Sequence, residues 1–351
     1  MIYSMISIDT ECDKDKNWNI PRPLGFENIH SGVQNVLHPV FMETESIPTY
    51  LLSPEIILSK ACVDTFSGLP GRFELGTHLH SEFIEPESEP EAVGTFQFQG
   101  DLPEPIEQAK LTRLTEIFEK AFGYRPTSFR AGRFGIGPRT LRFLADLGYL
   151  VDSSVFPLRI TPTKNRQNNF YHLDSTAFFP NLDDYSRGSG NSHLLEVPLT
   201  VHSDFFLTLP VSLRKWVGSR ELLVWAASKA LGRNRVKTLT LRPSTNSVKV
   251  MRSVVDRHLD YCENENHIFL NMMFHSNEIT PRASPICQTD QDVEAFLDRM
   301  RQILIYIKSL GARPAGLSDA WFAVNRLELP SDFSQYYSAA KDYLLGRKVD
   351  H

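Results

Sequence analysis

Met1-Ile2-Tyr3-Ser4-Met5-Ile6-Ser7-Ile8 is a short apolar run that closes on Asp9-Thr10-Glu11. A run of this length and make-up reads as a buried strand, which puts the two acids at its carboxyl end. Two later stretches repeat the scheme. Phe73-Glu74-Leu75-Gly76-Thr77 closes on His78-Leu79-His80, and Ile268-Phe269-Leu270-Asn271-Met272-Met273 closes on Phe274-His275-Ser276. Acids and imidazoles at the carboxyl ends of several strands are what an α/β barrel offers at its mouth. Together the three stretches point to one metal site of a hydrolase.

Working outward, strand-like runs alternate with helical patterns, the order that produces a parallel sheet or barrel. After the first strand and a polar loop, the pattern predicts a helix over 33–45, a strand over 48–53 and a second helix from Pro54. The Pro- and Glu-rich stretch from His80 to about residue 104 is too long for a plain connection and reads as a lid, a substrate wall or a solvated acidic excursion. Ile106, Ala109, Leu111, Leu114, Ile117, Phe118 and Ala121 have the spacing of one helix face over 105–122. A helix over 138–147 ends at Gly148. Further strands are expected at 149–153, 194–201, 267–274 and 315–317, with helices at 218–231, 245–262 and 290–310. The count is about seven strand-helix pairs. Residues 203–245 read as an inserted helical element on a unit spanning 1–329, and 330–351 as a helical or frayed tail.

With 351 residues, 41% hydrophobic and 23% charged, the chain can bury one large α/β core or two smaller ones. A net charge of -5 argues against a nucleic-acid coat protein. The charge is uneven: residues 82–109 carry eight acids and no Lys or Arg, whereas 213–242 carry eight basic residues against Glu221 alone. That basic stretch, with Trp216, Leu222, Leu223, Val224 and Trp225, suits either a helix lying on an anionic membrane or one packed on the barrel with a solvated rim. Cys12, Cys62, Cys262 and Cys287 form no metal or redox spacing, which suggests a reducing compartment. The first residues lack a basic leader, so a cytoplasmic location is the expectation.

In an extended chain residues two apart share a face, so His78 and His80 can reach one ion, with Glu11 or Asp13 as a third ligand. The same alternation lets one of Asp9 and Glu11 hold metal while the other takes a proton from water. Arg130, in Ser128-Phe129-Arg130-Ala131-Gly132-Arg133-Phe134-Gly135, can pair with Asp9 and keep it ionised. His275 is placed to protonate a leaving group. Each has a plainer reading as a polar residue closing a strand, and it is their company that gives them weight. Glu196, in the strand Leu195-Glu196-Val197-Pro198, reads as facing the pocket. Asp183 and Asp184 suit sugar hydroxyls or a solvated turn.

Four pieces carry a resemblance: Ser7-Ile8-Asp9-Thr10-Glu11, Glu74-Leu75-Gly76-Thr77-His78-Leu79-His80, Phe129-Arg130-Ala131-Gly132-Arg133-Phe134-Gly135 and Phe274-His275-Ser276. In these, and in their order, the sequence resembles the polysaccharide deacetylases, the NodB-homology group of carbohydrate esterase family 4. The resemblance implies a distorted (β/α)7 barrel with one divalent ion, usually zinc, that removes N-acetyl groups from a sugar or polysaccharide. By it Asp9 is the general base, Glu11, His78 and His80 are the metal ligands, Arg130 orients Asp9, and His275 is the general acid. Arg133, Phe134 and Glu82 are the expected substrate contacts. The pattern also departs from the family, in which many members have adjacent aspartates in the first motif and histidines four apart in the second. Here Glu11 replaces an aspartate and Glu82 stands four after His78, so His80, Glu82 or Asp13 completes the site. A carbohydrate-binding relative without turnover, or a hydrolase of a cyclic amide or formamide, fits the same residues.

Overall fold

A computed structural model describes residues 1–86, 98–162, 167–182 and 192–347. Among these residues the strands are β1 (Ile2–Thr10), β2 (Pro48–Leu52), β3 (Glu74–Leu79), β4 (Ser128–Ala131), β5 (Val151–Asp152), β6 (Ile160–Pro162), β7 (Gln167–Asn169), β8 (Leu195–Glu196), β9 (Val201–His202), β10 (Leu239–Thr240), β11 (Ile268–His275) and β12 (Arg313–Pro314). One sheet runs β11-β1-β2-β3-β4-β5-β8, with β12 on the first residues of β1, and every pairing in it is parallel. The gap between β8 and β11 is bridged by Thr200, whose N–H donates to the Asn271 carbonyl (3.1 Å) while its Oγ1 accepts from the Asn271 N–H (2.8 Å). The result is the distorted (β/α)7 barrel, an α/β fold.

Period-two alternation divides β1 between two surroundings. Ile6 and Ile8 face the outer helices in the largest apolar cluster. Tyr3 and Met5 face inward with Phe269, Leu195, Trp321 and Tyr336, an apolar plug at the amino end of the barrel. On the same inward row, Ser7, Asp9 and Glu11 continue toward the mouth and are all buried. The barrel is therefore apolar at its floor and polar above it. Gly76 on β3 admits this packing, because a Cβ there would stand 2.3 Å from Ser128 Oγ.

Several elements differ from the sequence pattern for local reasons. The strand expected over 194–201 splits, since Pro198 has no N–H to donate. Leu195–Glu196 pairs with β5, and Val201–His202 then turns to pair antiparallel with Leu239–Thr240. The strand expected over 149–153 shortens to Val151–Asp152. At 315–317 Ala315 donates to the Ser4 carbonyl of β1 and Leu317 only to a side chain, Thr49 Oγ1 on β2. Leu317–Val324 is instead a helix, started at Gly316, whose N–H donates to Asp319 Oδ2 at 2.9 Å. The helix expected over 33–45 begins earlier, as a wide π-helical turn over Asn28–Leu37 leading into His38–Glu43. Its start is held from outside: Asp13 accepts from the backbone N–H of Glu27 (2.9 Å) and Asn28 (3.0 Å). The inserted element contains helices Val211–Gly218, Glu221–Leu231 and Arg233–Val236. Tyr336–Arg347 is a helix whose first residue is fully buried.

Candidate active site

The inward rows of β1, β4 and β11 build the site in layers. In the lowest, Arg130 donates through its guanidinium to Ser7 Oγ (2.6 Å), Ser153 Oγ (2.9 Å) and the Ser153 carbonyl (2.8 Å). Asn271 locks this layer, accepting from Ser7 Oγ at 2.7 Å and donating to Ser153 Oγ at 3.0 Å. Arg130 is wholly buried, and a buried cation needs such a saturated shell.

One step toward the mouth, Arg130 Nη1 lies 2.7 Å from Asp9 Oδ1. The register places Asp9 beside His275 across β1 and β11, and His78 beside Arg130 across β3 and β4. Asp9 Oδ2 is accordingly 3.9 Å from His78 Nε2 and 3.8 Å from His275 Nε2. Burial alone would raise the Asp9 carboxyl, but Arg130, with the two imidazoles, holds it below the usual carboxylate range.

Glu11, His78 and His80 form the next layer. Glu11 Oε1 is 3.4 Å from His78 Nε2 and 3.2 Å from His80 Nε2, and the two imidazole nitrogens are 3.2 Å apart. His78 Nδ1 faces the Arg130 carbonyl at 2.9 Å and His80 Nδ1 faces Glu82 Oε1 at 3.3 Å, both pure acceptors. With its hydrogen on Nδ1, each imidazole presents the Nε2 lone pair toward the other and toward the Glu11 carboxylate. In that form three lone-pair atoms converge, and Glu11, His78 and His80 could hold a cation between them. A tetrahedral ion with bonds of about 2.0–2.1 Å has ligand atoms about 3.3 Å apart, the spacing seen here. Burial and Arg133 work against a charged His80, but Glu11 foremost, with Glu82, raises it to about 9. Glu11 is held well below the usual carboxylate range against its burial, first by Lys14, whose Nζ is 3.0 Å from Oε2, and then by the imidazoles.

The other expected residues are placed as follows. Asp13 is turned away from the cluster, occupied with Glu27 and Asn28. Glu82 lies behind His80 and 2.5 Å from Arg133 Nη2 at the rim. Arg133 and Phe134 both have φ near +55°, a conformation costly for non-glycine residues. It aims Arg133 at Glu82 and turns Phe134 into an apolar cluster with Phe156. Gly132 lets this loop approach, since a Cβ there would meet the Leu79 carbonyl at 2.5 Å and the His80 ring at 3.2 Å. Residues 87–97 of the acidic loop, and Asp183 and Asp184, lie outside the described residues.

His275, half-buried, has its Nδ1 2.9 Å from Glu278 Oε1, so Nε2 faces the cleft. Glu278 also pairs with Arg242. Burial would raise Glu278, but Arg242, with His275, holds it low. Trp18 covers the imidazole with ring centroids 5.1 Å apart. Lys14, Glu278, Arg242 and Asn271 were not singled out from the sequence. The signal for the first two was modest: each stands three residues after a site residue.

Asp152 and Glu196 are register partners on β5 and β8, both fully buried. Ser154 Oγ donates to Asp152 Oδ1 (2.5 Å) and the Val155 N–H to Glu196 Oε1 (3.0 Å). Asp152 Oδ2 and Glu196 Oε2 have no hydrogen-bond partner among the described residues. Burial raises both, Asp152 to about 6 and Glu196 well above the usual range, where the neighbouring Asp152 charge adds to the effect. Both acids are thus pushed toward their protonated forms.

The sequence matches no protein-family model, and no curated protein matches it. Solved structures do. A candidate glycoside hydrolase/deacetylase from Parabacteroides distasonis aligns with a TM-score of 0.55 at 12% identity, over 92% of this chain and 71% of that one. A candidate polysaccharide deacetylase from Pseudomonas aeruginosa aligns with a TM-score of 0.50 at 12% identity, over 93% and 90%. At this identity the likeness establishes the fold, a barrel of the deacetylase type.

Proposed function

We propose that this chain is a metal-dependent hydrolase that removes N-acetyl groups from a sugar or polysaccharide precursor, in the cytoplasmic part of bacterial surface-glycan metabolism. One observation carries the reading: three lone-pair donors converge at the mouth, with an ionised aspartate on one side and a carboxylate-backed imidazole beyond it. Glu11, His78 and His80 would hold a divalent cation, by resemblance zinc, which supplies Lewis acidity toward a carbonyl and a water. Asp9, kept ionised by Arg130, takes the proton of the attacking water at Oδ2. His275 delivers a proton from Nε2 to the departing amine, while Glu278 holds Nδ1 and fixes the ring. Lys14 balances the charge of Glu11 and holds its carboxylate in place. Arg133 and Glu82, paired at the rim, are the groups best placed to meet sugar hydroxyls.

The deciding experiment measures metal content and acetate release from N-acetylated oligosaccharides on the same samples of wild type, His78→Ala and His80→Ala. The reading expects about one zinc per chain in the wild type, lost in both variants together with acetate release. Wild type purified without metal, and unable to take it up, would identify a carbohydrate-binding protein on the same barrel.

A further inference from the structure

The helix Glu221–Leu231 is apolar on both sides. Leu223, Val224 and Ala227 lean on the cluster of Phe134, Leu199, Phe206, Val217 and Met273. The opposite stripe, at positions 222, 225, 226, 229 and 230, has the spacing of one helix face and reads Leu, Trp, Ala, Lys, Ala. It faces solvent, with Leu222 80% and Trp225 61% exposed. The preceding helix Val211–Gly218 adds Val211, Leu213 and Trp216 to the same exposed set, and Leu231 closes it. Exposed apolar side chains gathered on one element mark a surface that meets a partner.

The charge around the patch says which partner. Residues 211–237 hold seven basic side chains and one acid, Glu221. Lys215, Arg220, Lys229, Arg233, Arg235 and Lys237 are exposed, and none has an ion-pair partner among the described residues. The Arg220 guanidinium lies 4.5 Å from the Trp216 ring centroid, and Lys229 Nζ lies 5.8 Å from that of Trp225. Indole, leucine and cations in one layer match the interface of an anionic bilayer, where rings sit at headgroup depth and cations meet lipid phosphates. A second copy docked on this face would set basic patch against basic patch. A nucleic acid would leave Val211, Leu213, Leu222 and Leu231 without an apolar counterpart.

The patch also adjoins the site. Its inner face packs with Phe134 of the Arg133 loop, and the chain runs on to Arg242, whose Nη2 is 3.2 Å from His275 Nδ1. We infer that residues 211–237 dock this protein on an anionic lipid bilayer, bringing the barrel mouth beside the membrane. The surface stands whether or not the site is a deacetylase, though its value to the enzyme rests on that reading.

The experiment is co-sedimentation of the full chain with phosphatidylcholine vesicles, with and without phosphatidylglycerol. Wild type is expected to partition onto the anionic vesicles only, less so at high salt, with a blue shift of tryptophan emission. Leu222→Glu/Trp225→Ser and Lys229→Glu/Arg233→Glu should each lower binding at least tenfold, with unchanged Tm and unchanged acetate release from soluble oligosaccharide. The inference is overturned by a wild type that ignores anionic vesicles, by equal binding to neutral ones, or by double variants that bind as wild type does. A dimer that Leu222→Glu/Trp225→Ser disperses, in a protein that ignores vesicles, would assign the face to a second copy instead. Acetate release tests the hydrolase reading separately, so either can fail alone.

Discussion

Two groups of buried acids lie on one sheet and take opposite charge states. Asp9, on β1, and Glu11, just past its end, are desolvated yet held in the ionised form, because Arg130, Lys14 and the imidazoles surround them. Asp152 and Glu196, on β5 and β8, are equally buried but have only hydroxyl and amide donors beside another acid, and they are pushed toward the protonated form. Burial is common to both, so counter-charge decides. On the proposed function the first group holds a cation and accepts a proton, while the second joins neighbouring strands β5 and β8.

The largest effect that would break this contrast is expected at the metal donors. His80→Ala should leave two donors, drop bound metal from about one per chain to near none, and cut acetate release roughly a thousandfold or more, several kcal/mol of transition-state stabilisation. Metal retained in that variant would mean that His80 is dispensable to the cluster. Next comes Arg130→Met, which strands Asp9 without its cation. Breaking a buried pair from one side costs about 3–5 kcal/mol, so denaturant titration should show a clearly lower midpoint. A wild-type midpoint would mean that Asp9 owes nothing to Arg130.

The second group is tested by Glu196→Gln, which replaces the acid with an amide donor. Asp152 near 6 lies above its ordinary value of 3.8, so protonation of the pair favours the folded state at low pH, and that contribution is lost as pH rises through about 6. The difference in stability, variant minus wild type, should therefore grow between pH 4 and 8, by about 2–3 kcal/mol. A pH-independent difference would show that the pair is not pushed toward its protonated form. The smallest effect sharpens the first group: Glu82→Gln removes the charged acceptor of His80 Nδ1 and should weaken zinc affinity about tenfold, read by competition with a chelator. Unchanged affinity would make Glu82 a partner of Arg133 alone.

Much of the site was legible because period-two alternation is a property of a single strand. Ser7, Asp9 and Glu11 share a face wherever β1 pairs, and so do His78 and His80, since the inward row of β3 runs on into the turn. The apolar residues at 3 and 5 and the polar ones at 7, 9 and 11 even mark where the barrel changes from floor to mouth. The strand expected over 194–201 failed for a reason also written in the chain, the proline at 198. The helix start at Asn28 was not legible, because its cap is the side chain of Asp13, fifteen residues back.

The sequence by itself determined which residues stand at the strand ends, and hence the barrel class and the members of the candidate site, because side-chain alternation and strand length are local. Only the tertiary structure set Glu11 beside the two imidazoles and turned Asp13 onto backbone amides of the following turn. It alone paired Asp152 with Glu196 and set Lys14 on Glu11. Strand register and counter-charge arise between segments, and they fix whether a buried acid keeps its proton.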